Sequence, residues 1–415
     1  MTPDGTAGQL NRAVVGLLQR LVGLRANRHA VGMHGAKPLA AIAIVLLLPV
    51  AAQVACSRDS DDARRPAEGP QVEDLASLLE PIRSRNDLPA LAGSIVSEGK
   101  TVAIGATGLR ARGGDDRVSA DDRWHLGSCA KAMTATLAAL LVEEGRLSWE
   151  TTLREVFPEE TTRHRAWRPV TIEQLLRHQS GLPEDRHRSE APWNKPLSGS
   201  LPEQRRSVVR ATLAEAPVSA PGTATSYANA GYMIVGSILE IRTGDSWEDL
   251  MRARLFEPLK MASAGFGPPR PLPQPQGHWG RVPVGVGPEA DNPPVLGPAG
   301  TVHASLEDWG KFVSLHLIGS KRRSKLIKRE SVVRLHTPAE GTSYAMGWGS
   351  HERDWGGQVI SHSGSDGYWY SVVWASPEQA FAVLVATNES GDHAVTGTDE
   401  AAAALIRHFQ EGRAQ

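Results

Sequence analysis

The sequence predicts an α/β protein in which one antiparallel sheet is built from both chain ends and flanked by helices, with a mostly helical lobe between. Segments 91–97 and 101–106 are strand-like, and so are segments 359–362, 368–375 and 381–387 in the last third. The middle of the chain carries the apolar period of helices instead. Strands at both ends with helices between them form a single sheet only if the two chain ends meet.

The first 55 residues are predicted to be an export segment ahead of the folded domain. Residues 39–50 are continuously apolar and follow Lys37, which is too short a run to span a bilayer and typical of a signal peptide. The long basic prefix before them indicates Met33 as the true start. A polar linker is expected at 56–71 and the domain at 72–411, with an α/β lobe from about 72–130 and 296–411 and a helical lobe from about 131–295.

Two processing sites compete in the export segment. Val54-Ala55-Cys56 partly resembles a bacterial lipoprotein cleavage site, which would put a lipid on Cys56, but Gln53 replaces the aliphatic residue usual there. Cleavage after Ala52 is the second alternative, and an uncleaved membrane anchor is the third. All three place the domain in the bacterial periplasm or cell envelope, with membrane contact only through this terminus.

The remaining elements follow from apolar period and from helix and turn signals. A helix is expected from about residue 72, and the first two strands form a hairpin around residues 98–100. Thr171 and Gln174 have the spacing of a capping box at the start of a helix. Residues 267–299 are too rich in Pro and Gly to be helical. Further helices are expected over 124–142, 232–242 with Gly244 at the end, 306–317 and 398–409.

Lys131 is the only formal charge in the apolar helix predicted over 124–142, and Ser128 lies one turn earlier on the same face. An ammonium buried there must find a partner or lose its proton. A neutral amine beside a hydroxyl is a general base beside a nucleophile. The alternative is a buried lysine hydrogen-bonded to carbonyls. Ser97 and Lys100 share this spacing, but they lie at a strand end and turn, so we interpret that pair as chance.

A second motif, Tyr227-Ala228-Asn229, is predicted on a turn just before a helix, where reactive groups are often presented. A tyrosine beside a lysine can shuttle a proton, and an asparagine can hold a substrate carbonyl or the lysine. Taken alone, this pattern is also that of a turn with an Asn cap.

A third motif, His362-Ser363-Gly364, is predicted at the end of a strand. Glycine there lets a substrate backbone approach the strand edge, although a plain turn histidine is the alternative for His362. The backbone N–H groups of Ser128 and Ser365 are placed to form an oxyanion hole.

In this order and context the three motifs resemble the serine β-lactamase and penicillin-binding-protein superfamily, in particular its class C β-lactamase-like branch. That branch includes DD-peptidases, D-aminopeptidases and small-ester hydrolases. The resemblance covers about residues 72–411 and implies the serine β-lactamase-like fold. It is reinforced by LLRHQSGLP at 175–183, FEPLKM at 256–261, and GPAG at 297–300 before a helix at Asp308.

The resemblance also implies a role for each residue of the three motifs. Ser128 would be the acylated nucleophile, Lys131 its base, and Tyr227 the group that relays the proton to the leaving group. Asn229 would contact the substrate. The far wall would be formed by His362, Ser363 and Gly364. β-Lactamases of this branch usually carry Lys-Thr-Gly at the third motif, and a histidine is mostly neutral near pH 7, which disfavours an efficient β-lactamase.

The sequence therefore predicts an exported serine hydrolase that acts through an acyl-enzyme on Ser128, most simply an esterase or amidase of small acyl or peptide-type substrates. The alternatives are a β-lactamase or DD-peptidase acting on peptidoglycan-type substrates, and a non-catalytic penicillin-binding sensor or scaffold. The scaffold is disfavoured because nucleophile, lysine and tyrosine are all present. The balance of 45 basic and 46 acidic residues gives no sign of a nucleic-acid partner, and the Cys and His spacings predict no metal or other cofactor.

Overall fold

The structure is a computed structural model that describes residues 72–184, 191–321 and 324–414. The predicted start at Met33, the signal segment 39–50 and the predicted lipid attachment at Cys56 lie outside these residues. In the described part of the chain, no helix is both long enough and apolar enough to cross a bilayer.

The strands fall into two groups near the chain ends and a set of short strands between them. They are β1 (Glu73–Asp74), β2 (Ala90–Ser97), β3 (Lys100–Gly108), β4 (Arg123–His125), β5 (Gly265–Phe266), β6 (His278–Trp279), β7 (Val282–Pro283), β8 (Val302–Ser305), β9 (Gly349–Arg353), β10 (Gly357–Ser365), β11 (Tyr370–Ser376) and β12 (Phe381–Thr387).

Most of the helices lie between the two strand groups, with one before β2 and one after β12. They are α1 (Ala76–Arg85), α2 (Ala130–Glu143), α3 (Leu153–Val156), α4 (Ile172–Leu176), α5 (Leu201–Leu213), α6 (Asn229–Thr243), α7 (Trp247–Met251), α8 (Gly297–Gly300), α9 (Leu306–Gly319), α10 (Arg329–His336) and α11 (Asp392–Ala414).

The central sheet joins the two chain ends, as the sequence predicts. Its seven strands run in the order β1-β3-β2-β12-β11-β10-β9. The neighbours are antiparallel except for the short parallel pair of β1 and β3. Helices α1 and α11 pack on one face and α9 packs on the other. Every residue of β12 is buried, because helices cover the sheet on both sides.

A smaller three-stranded sheet supports the beginning of α2. Its strands run in the order β4-β8-β5. Trp124 in β4 is fully buried and meets Trp369 edge to face, with ring centroids 6.2 Å apart. The strand leads directly into the turn that carries Ser128, so this smaller sheet sets the position of that turn.

Two predicted helix starts are wrong. The helix expected over 124–142 begins only at Ala130, because residues 123–125 pair with β8 and residues 127–129 form a 3₁₀ turn. Gly127 has φ +48°, and a Cβ there would lie 2.4 Å from the backbone nitrogen of Ser365, so the helix cannot extend backwards. The helix expected from residue 72 begins at Ala76, whose N–H is bound by the Asp74 carboxylate at 2.9 Å.

Other predicted elements are confirmed. The hairpin of β2 and β3 is present, and α4 begins with the capping box of Thr171 and Gln174. Helix α6 ends at Gly244 with φ +86°. Segment 267–299 is irregular apart from short turns and the small β6–β7 hairpin. Helices α5 and α10 and strand β9 have no counterpart in the prediction, although both helices are amphipathic and bury one apolar face.

Candidate active site

Ser128 lies on the 3₁₀ turn between β4 and α2 and is partly exposed. Three glycines allow the backbone to crowd around it. A Cβ on Gly364 would meet the Leu126 carbonyl oxygen at 2.1 Å, and one on Gly300 would lie 3.1 Å from the carbonyl carbon of Gly127. Because the turn is held between α8 and β10, the direction of the Ser128 N–H and side chain is set by backbone packing.

Lys131 is fully buried one turn after Ser128 and is bound from three sides. Its Nζ lies 3.0 Å from Ser128 Oγ, 2.6 Å from Asn229 Oδ1 and 2.8 Å from the Ala299 carbonyl oxygen. The last two atoms can only accept, whereas the serine hydroxyl can also donate. Lys131 can donate an N–H to each of the three oxygens. If it loses one proton and keeps the N–H groups on Asn229 and Ala299, its lone pair faces the hydroxyl of Ser128.

Asn229 is the first residue of α6, and its carboxamide also borders the cleft in front of Ser128. Of the two roles open to it from the sequence, the structure supplies the contact with the lysine. The contacts with Asn229 and Ala299 would also be expected of a buried lysine that has no catalytic role. What separates the two interpretations is the third contact, from Nζ to Ser128 Oγ.

Tyr227 is brought to the same lysine, with Lys131 Nζ 4.9 Å from its ring centroid. A residue that the sequence prediction did not use supports it: His178, at φ +57° after α4, packs against Tyr227 with ring centroids 4.3 Å apart and ring planes tilted by 39°. His178 Nδ1 accepts the N–H of Ala228 at 3.2 Å. Burial, reinforced by the nearby Lys131, lowers the pKa of His178 well below 6.5, so the ring is a neutral acceptor that holds the Tyr227 turn.

His362 lies inside β10 rather than on a turn, and it is buried. Its Nε2 is 3.0 Å from the hydroxyl of Tyr344, whose ring lies 4.8 Å from that of His178. Burial, reinforced by Lys131 when its amine is protonated, lowers the pKa of His362 to about 3. The prediction of a neutral histidine at this position agrees with that environment.

The third motif reaches the cleft differently from the prediction. β10 contributes Ser365 to the cleft wall, and His362 lies behind that wall. Ser363 is exposed, alternates in direction with His362 along the strand and hydrogen-bonds with Tyr370. Gly364 packs closely on the Ser128 turn, since a Cβ there would meet the Leu126 carbonyl oxygen; the approach of a substrate backbone to this strand edge stays a prediction.

The backbone amides expected to form the oxyanion hole lie on segments in direct contact. β9 pairs with β10 only as far as Ser361, and the remainder of β10 borders the Ser128 turn. The cleft in front of these amides is small, with a volume of about 40 Å³. It is lined by Ser128, Trp193, Asn194, Asn229, Asn292, Pro293, Leu296, Ala299, Gly300 and Ser365.

A buried cluster that the sequence does not predict lies behind the Ser128 turn. His125 Nε2 is 2.8 Å from Asp291 Oδ1, and His125 Nδ1 is 3.7 Å from Asp366 Oδ2. Nδ1 also accepts the Gly127 N–H at 3.1 Å. Burial alone would lower the pKa of His125, but the carboxylates of Asp291 and Asp366 raise it to about 9. The members are far apart in sequence, so spacing gives no signal for them.

These three side chains are also types that bind metal ions, and their potential ligand atoms lie within 4.8 Å of one another. The hydrogen-bond pattern favours protons instead. In the neutral ring, Nδ1 accepts the Gly127 N–H and the ring proton lies on Nε2, facing Asp291; in the charged ring both nitrogens carry protons. A metal bound to Nε2 would require that proton to be lost, whereas metal-bound histidines usually donate from the other nitrogen.

Comparisons with known proteins agree with this architecture. The sequence profile of the family described as Beta-lactamase matches residues 75–408. The chain is 28% identical over 343 residues to Penicillin-binding protein 4 of Amycolatopsis lactamdurans, an alignment that covers 75% of this chain and 83% of that protein.

Two solved structures share the fold at low sequence identity. The D-amino acid amidase from Ochrobactrum anthropi SV3, complexed with L-phenylalanine amide, superposes with a TM-score of 0.66 at 20% identity, covering 82% of this chain and 98% of the amidase. The D-alanine carboxypeptidase AmpC from Burkholderia cenocepacia gives a TM-score of 0.66 at 20% identity, covering 80% and 97%.

Proposed function

Because this chain belongs to the beta-lactamase family and is a serine hydrolase, we propose that it is an exported esterase or amidase that transfers small, uncharged acyl groups through an acyl-enzyme on Ser128. The observation that carries the proposal is the set of contacts around Lys131 Nζ, which hold the amine 3.0 Å from Ser128 Oγ, within reach of the hydroxyl proton.

Acylation follows from these contacts. Lys131 takes the proton of the Ser128 hydroxyl as Oγ attacks the acyl carbon, and the carbonyl electrons move onto oxygen, where the N–H groups of Ser128 and Ser365 bind the oxyanion. When the oxyanion collapses, the bond to the leaving group breaks. Tyr227, beside Lys131, relays the proton to the departing alcohol or amine.

In deacylation the same groups transfer protons in the opposite direction, with water as the nucleophile and Ser128 Oγ as the leaving group. Water gives a proton to the Tyr227–Lys131 pair and attacks the ester carbon. Ser128 Oγ leaves with a proton, and the free carboxylic acid is released. His178 and Tyr344 keep the Tyr227 ring in place through both steps by packing and edge contacts.

The lining of the cleft supports an uncharged acyl group. The described residues that border it present three carboxamides (Asn194, Asn229 and Asn292), and none of them carries an ionisable cation or anion. The third motif supplies a neutral histidine, which cannot attract a carboxylate over distance. Carboxylate-bearing substrates such as β-lactams would therefore gain less in this cleft than neutral esters or amides.

A β-lactamase or DD-peptidase is the second candidate. The relative from Amycolatopsis lactamdurans is named as a penicillin-binding protein, and this favours β-lactam recognition. The same acyl-enzyme chemistry would apply to a β-lactam or a peptide-type acyl donor.

A ranking of substrates separates the two candidates. We expect kcat/KM for p-nitrophenyl acetate or butyrate to exceed that for a chromogenic cephalosporin, with D-amino-acid p-nitroanilides measured alongside them. The Ser128→Ala protein is the background control for each substrate. A cephalosporin that turns over faster than the esters would favour the β-lactamase.

The proposed export rests on the apolar segment 39–50 and the basic residues ahead of it. Expression from Met33 should place the protein in the cell envelope, and removal of residues 33–55 should leave it in the cytoplasm. Globomycin, which blocks lipoprotein signal cleavage, together with Cys56→Ser separates lipidation at Cys56 from cleavage after Ala52. An identical distribution of the full-length and truncated proteins would contradict export.

A further inference from the structure

The buried cluster of His125, Asp291 and Asp366 takes no part in the acyl transfer described above, yet it joins three segments that form the site. His125 lies in β4, three residues before Ser128. Asp366 directly follows Ser365, and Asp291 directly precedes Asn292 of the cleft wall. All three side chains are almost completely withdrawn from solvent, with exposed fractions of 0%, 2% and 0% for His125, Asp291 and Asp366.

Each carboxylate is tied to its own segment by backbone amides. Asp366 Oδ1 accepts the N–H groups of Tyr368 and Trp369 at 2.8 and 2.9 Å, and Asp291 Oδ1 accepts the N–H of Asn292 at 2.5 Å. The second oxygen of each carboxylate is buried and lacks a hydrogen-bond partner among the described residues. An orphaned carboxylate oxygen is costly in the interior, so a nearby donor is strongly favoured.

We propose that His125 is a positioning residue of the oxyanion hole, which fixes the Ser128 N–H relative to the Ser365 N–H through Gly127, Asp291 and Asp366. The inference rests on the proposed function, because it concerns the same acyl-transfer site. It assigns to the cluster a role in transition-state stabilisation rather than in substrate binding.

The two protonation states of the ring hold the oxyanion segments through different contacts, so kcat should differ between them. Without a proton on Nδ1, it accepts the Gly127 N–H and fixes the peptide that leads into Ser128. With a proton there, it can no longer accept that N–H and is instead attracted to the Asp366 carboxylate, whose Oδ2 lies 3.7 Å from Nδ1 and which follows Ser365 in the chain. The charged groups that face the ring are Asp291 and Asp366, and the neutral His303 lies opposite it on β8. Both carboxylates favour the charged ring.

The substitutions separate the two contacts of the ring. His125→Asn keeps a carboxamide near the position of Nδ1, where it can accept the Gly127 N–H, whereas His125→Gln places its carboxamide near the position of Nε2. Asp366→Asn keeps Oδ1 for the Tyr368 and Trp369 amides and removes only the charge. If His125→Gln fails to fold, as judged by circular dichroism, Asp366→Asn carries the test.

The matched control is His303→Gln. His303 is the register partner of His125 across β4 and β8 and is also buried, but its Nδ1 contacts the Gly267 carbonyl at 2.8 Å, away from the oxyanion segments. Its kcat shows how much activity is lost when any buried histidine of the small sheet is replaced.

The measurement is steady-state turnover of p-nitrophenyl butyrate from pH 6 to pH 10, with detection of the acyl-Ser128 adduct by mass spectrometry. We expect His125→Gln to lower kcat about 10²-fold, as expected when an oxyanion donor is displaced. KM should stay within about threefold, since ground-state binding is not affected. His125→Asn should retain more activity than His125→Gln, and His303→Gln should stay within about threefold of wild type.

The pH profile supplies a readout that a purely structural role would not move. Removing the Asp366 charge makes a proton on His125 less favourable, so the alkaline break in kcat should move to lower pH in Asp366→Asn. Equal losses of kcat at every pH, equal losses in His125→Gln and His303→Gln, or kcat near wild type in His125→Gln and Asp366→Asn would overturn the proposal. A wild type without any adduct would instead contradict the proposed function, which keeps the two failures distinct.

Discussion

At the scale of single residues, the reactivity of Ser128 depends on atoms from distant segments. Asn229 comes from the start of α6, and Ala299 comes from the short helix α8. Their oxygens bind two of the hydrogens on Lys131 Nζ and orient the nitrogen towards Ser128. A lysine side chain alone has many rotamers, so the base is prepared by its acceptors rather than by the Ser-x-x-Lys spacing.

Lys131→Arg is expected to lower kcat by at least about 10²-fold, the contribution of a positioned general base, because a guanidinium stays protonated and cannot accept the serine proton. The measurement is ester turnover at saturating substrate. Lys100→Arg is the matched control, since Lys100 follows Ser97 with the same spacing on an exposed hairpin turn and should leave kcat unchanged. An active Lys131→Arg protein would remove the assignment of the base.

The sequence identifies the residues whose signal is local and misses those whose importance comes from long-range contacts. Ser128 and Lys131 share one helical turn, and Tyr227 lies beside Asn229, so short motifs reveal them. His178 is present in the segment 175–183, but its packing on Tyr227 depends on a backbone at φ +57° that no spacing predicts. Tyr344 lies in an irregular stretch and carries no motif at all.

At the scale of elements, the site depends on the crossing of β10 over the Ser128 turn. The crossing is close enough that glycine is required at Gly364, since a Cβ would lie 2.1 Å from the Leu126 oxygen and 2.7 Å from the Ser128 nitrogen. Neither contact is with a flexible side chain, so the strand or the turn would have to move.

Gly364→Ala should therefore lower the free energy of unfolding by about 1–3 kcal/mol, the usual cost of overpacking. It should also lower kcat about 10²-fold, because a displacement of about 1 Å misplaces the reacting groups. Urea denaturation and ester turnover measure the two effects. Gly412→Ala, in the last turns of α11 with open space around its Cα, should change neither by much. Wild-type kcat in Gly364→Ala would contradict the close crossing.

The contact between α9 and α10 contains a buried histidine pair that makes the stability of the protein depend on pH. His316 in α9 is fully buried, with its Nδ1 2.9 Å from Nε2 of His336 in α10. Burial, reinforced by His336, lowers the pKa of His316 well below 6.5. Below pH 6.5 the unfolded chain takes up a proton that the folded protein does not, so stability is full above that pH and is lost as the pH falls.

His316→Gln should make this loss less steep by about 1.4 kcal/mol per pH unit between pH 6 and pH 4.5, the contribution of one proton. The measurement is the free energy of unfolding from urea titrations across that range. His393→Gln, at an exposed position in α11, should leave the slope unchanged. Equal slopes in wild type and His316→Gln would contradict the assignment of this proton uptake to His316.

Element boundaries were predictable where a cap or a turn is local and were wrong where tertiary pairing decides. The capping box of α4 and the Gly244 end of α6 follow from short patterns. The segment before Ser128 has the composition of a helix, yet it is a strand and a 3₁₀ turn because β8 pairs with it and Gly127 must pass close to Ser365. Pairing energy from another segment overrides helix propensity there.

At the scale of the whole molecule, the central sheet brings the two chain ends together and places the middle of the chain over one edge. The antiparallel pairing of β2 with β12 joins residues almost 300 positions apart along the sequence, as the bond from Thr387 Oγ1 to the Ala90 carbonyl illustrates. The strand-rich segments on either side of a helical middle predict that the two groups of strands pair in one sheet. The strand order is not predictable in the same way, because it depends on which edges the helices cover.

The central claim is that Ser128 carries a covalent acyl group during turnover, and the most direct test is mass spectrometry of the protein quenched in acid during hydrolysis of p-nitrophenyl butyrate or a slowly released acyl donor. The account predicts that wild type gains the mass of one acyl group on the peptide containing Ser128. It also predicts that Ser128→Ala gains none and loses about 10⁶-fold in kcat, while Ser97→Ala behaves as wild type. An acyl group on any other residue, or full turnover by Ser128→Ala, would contradict it.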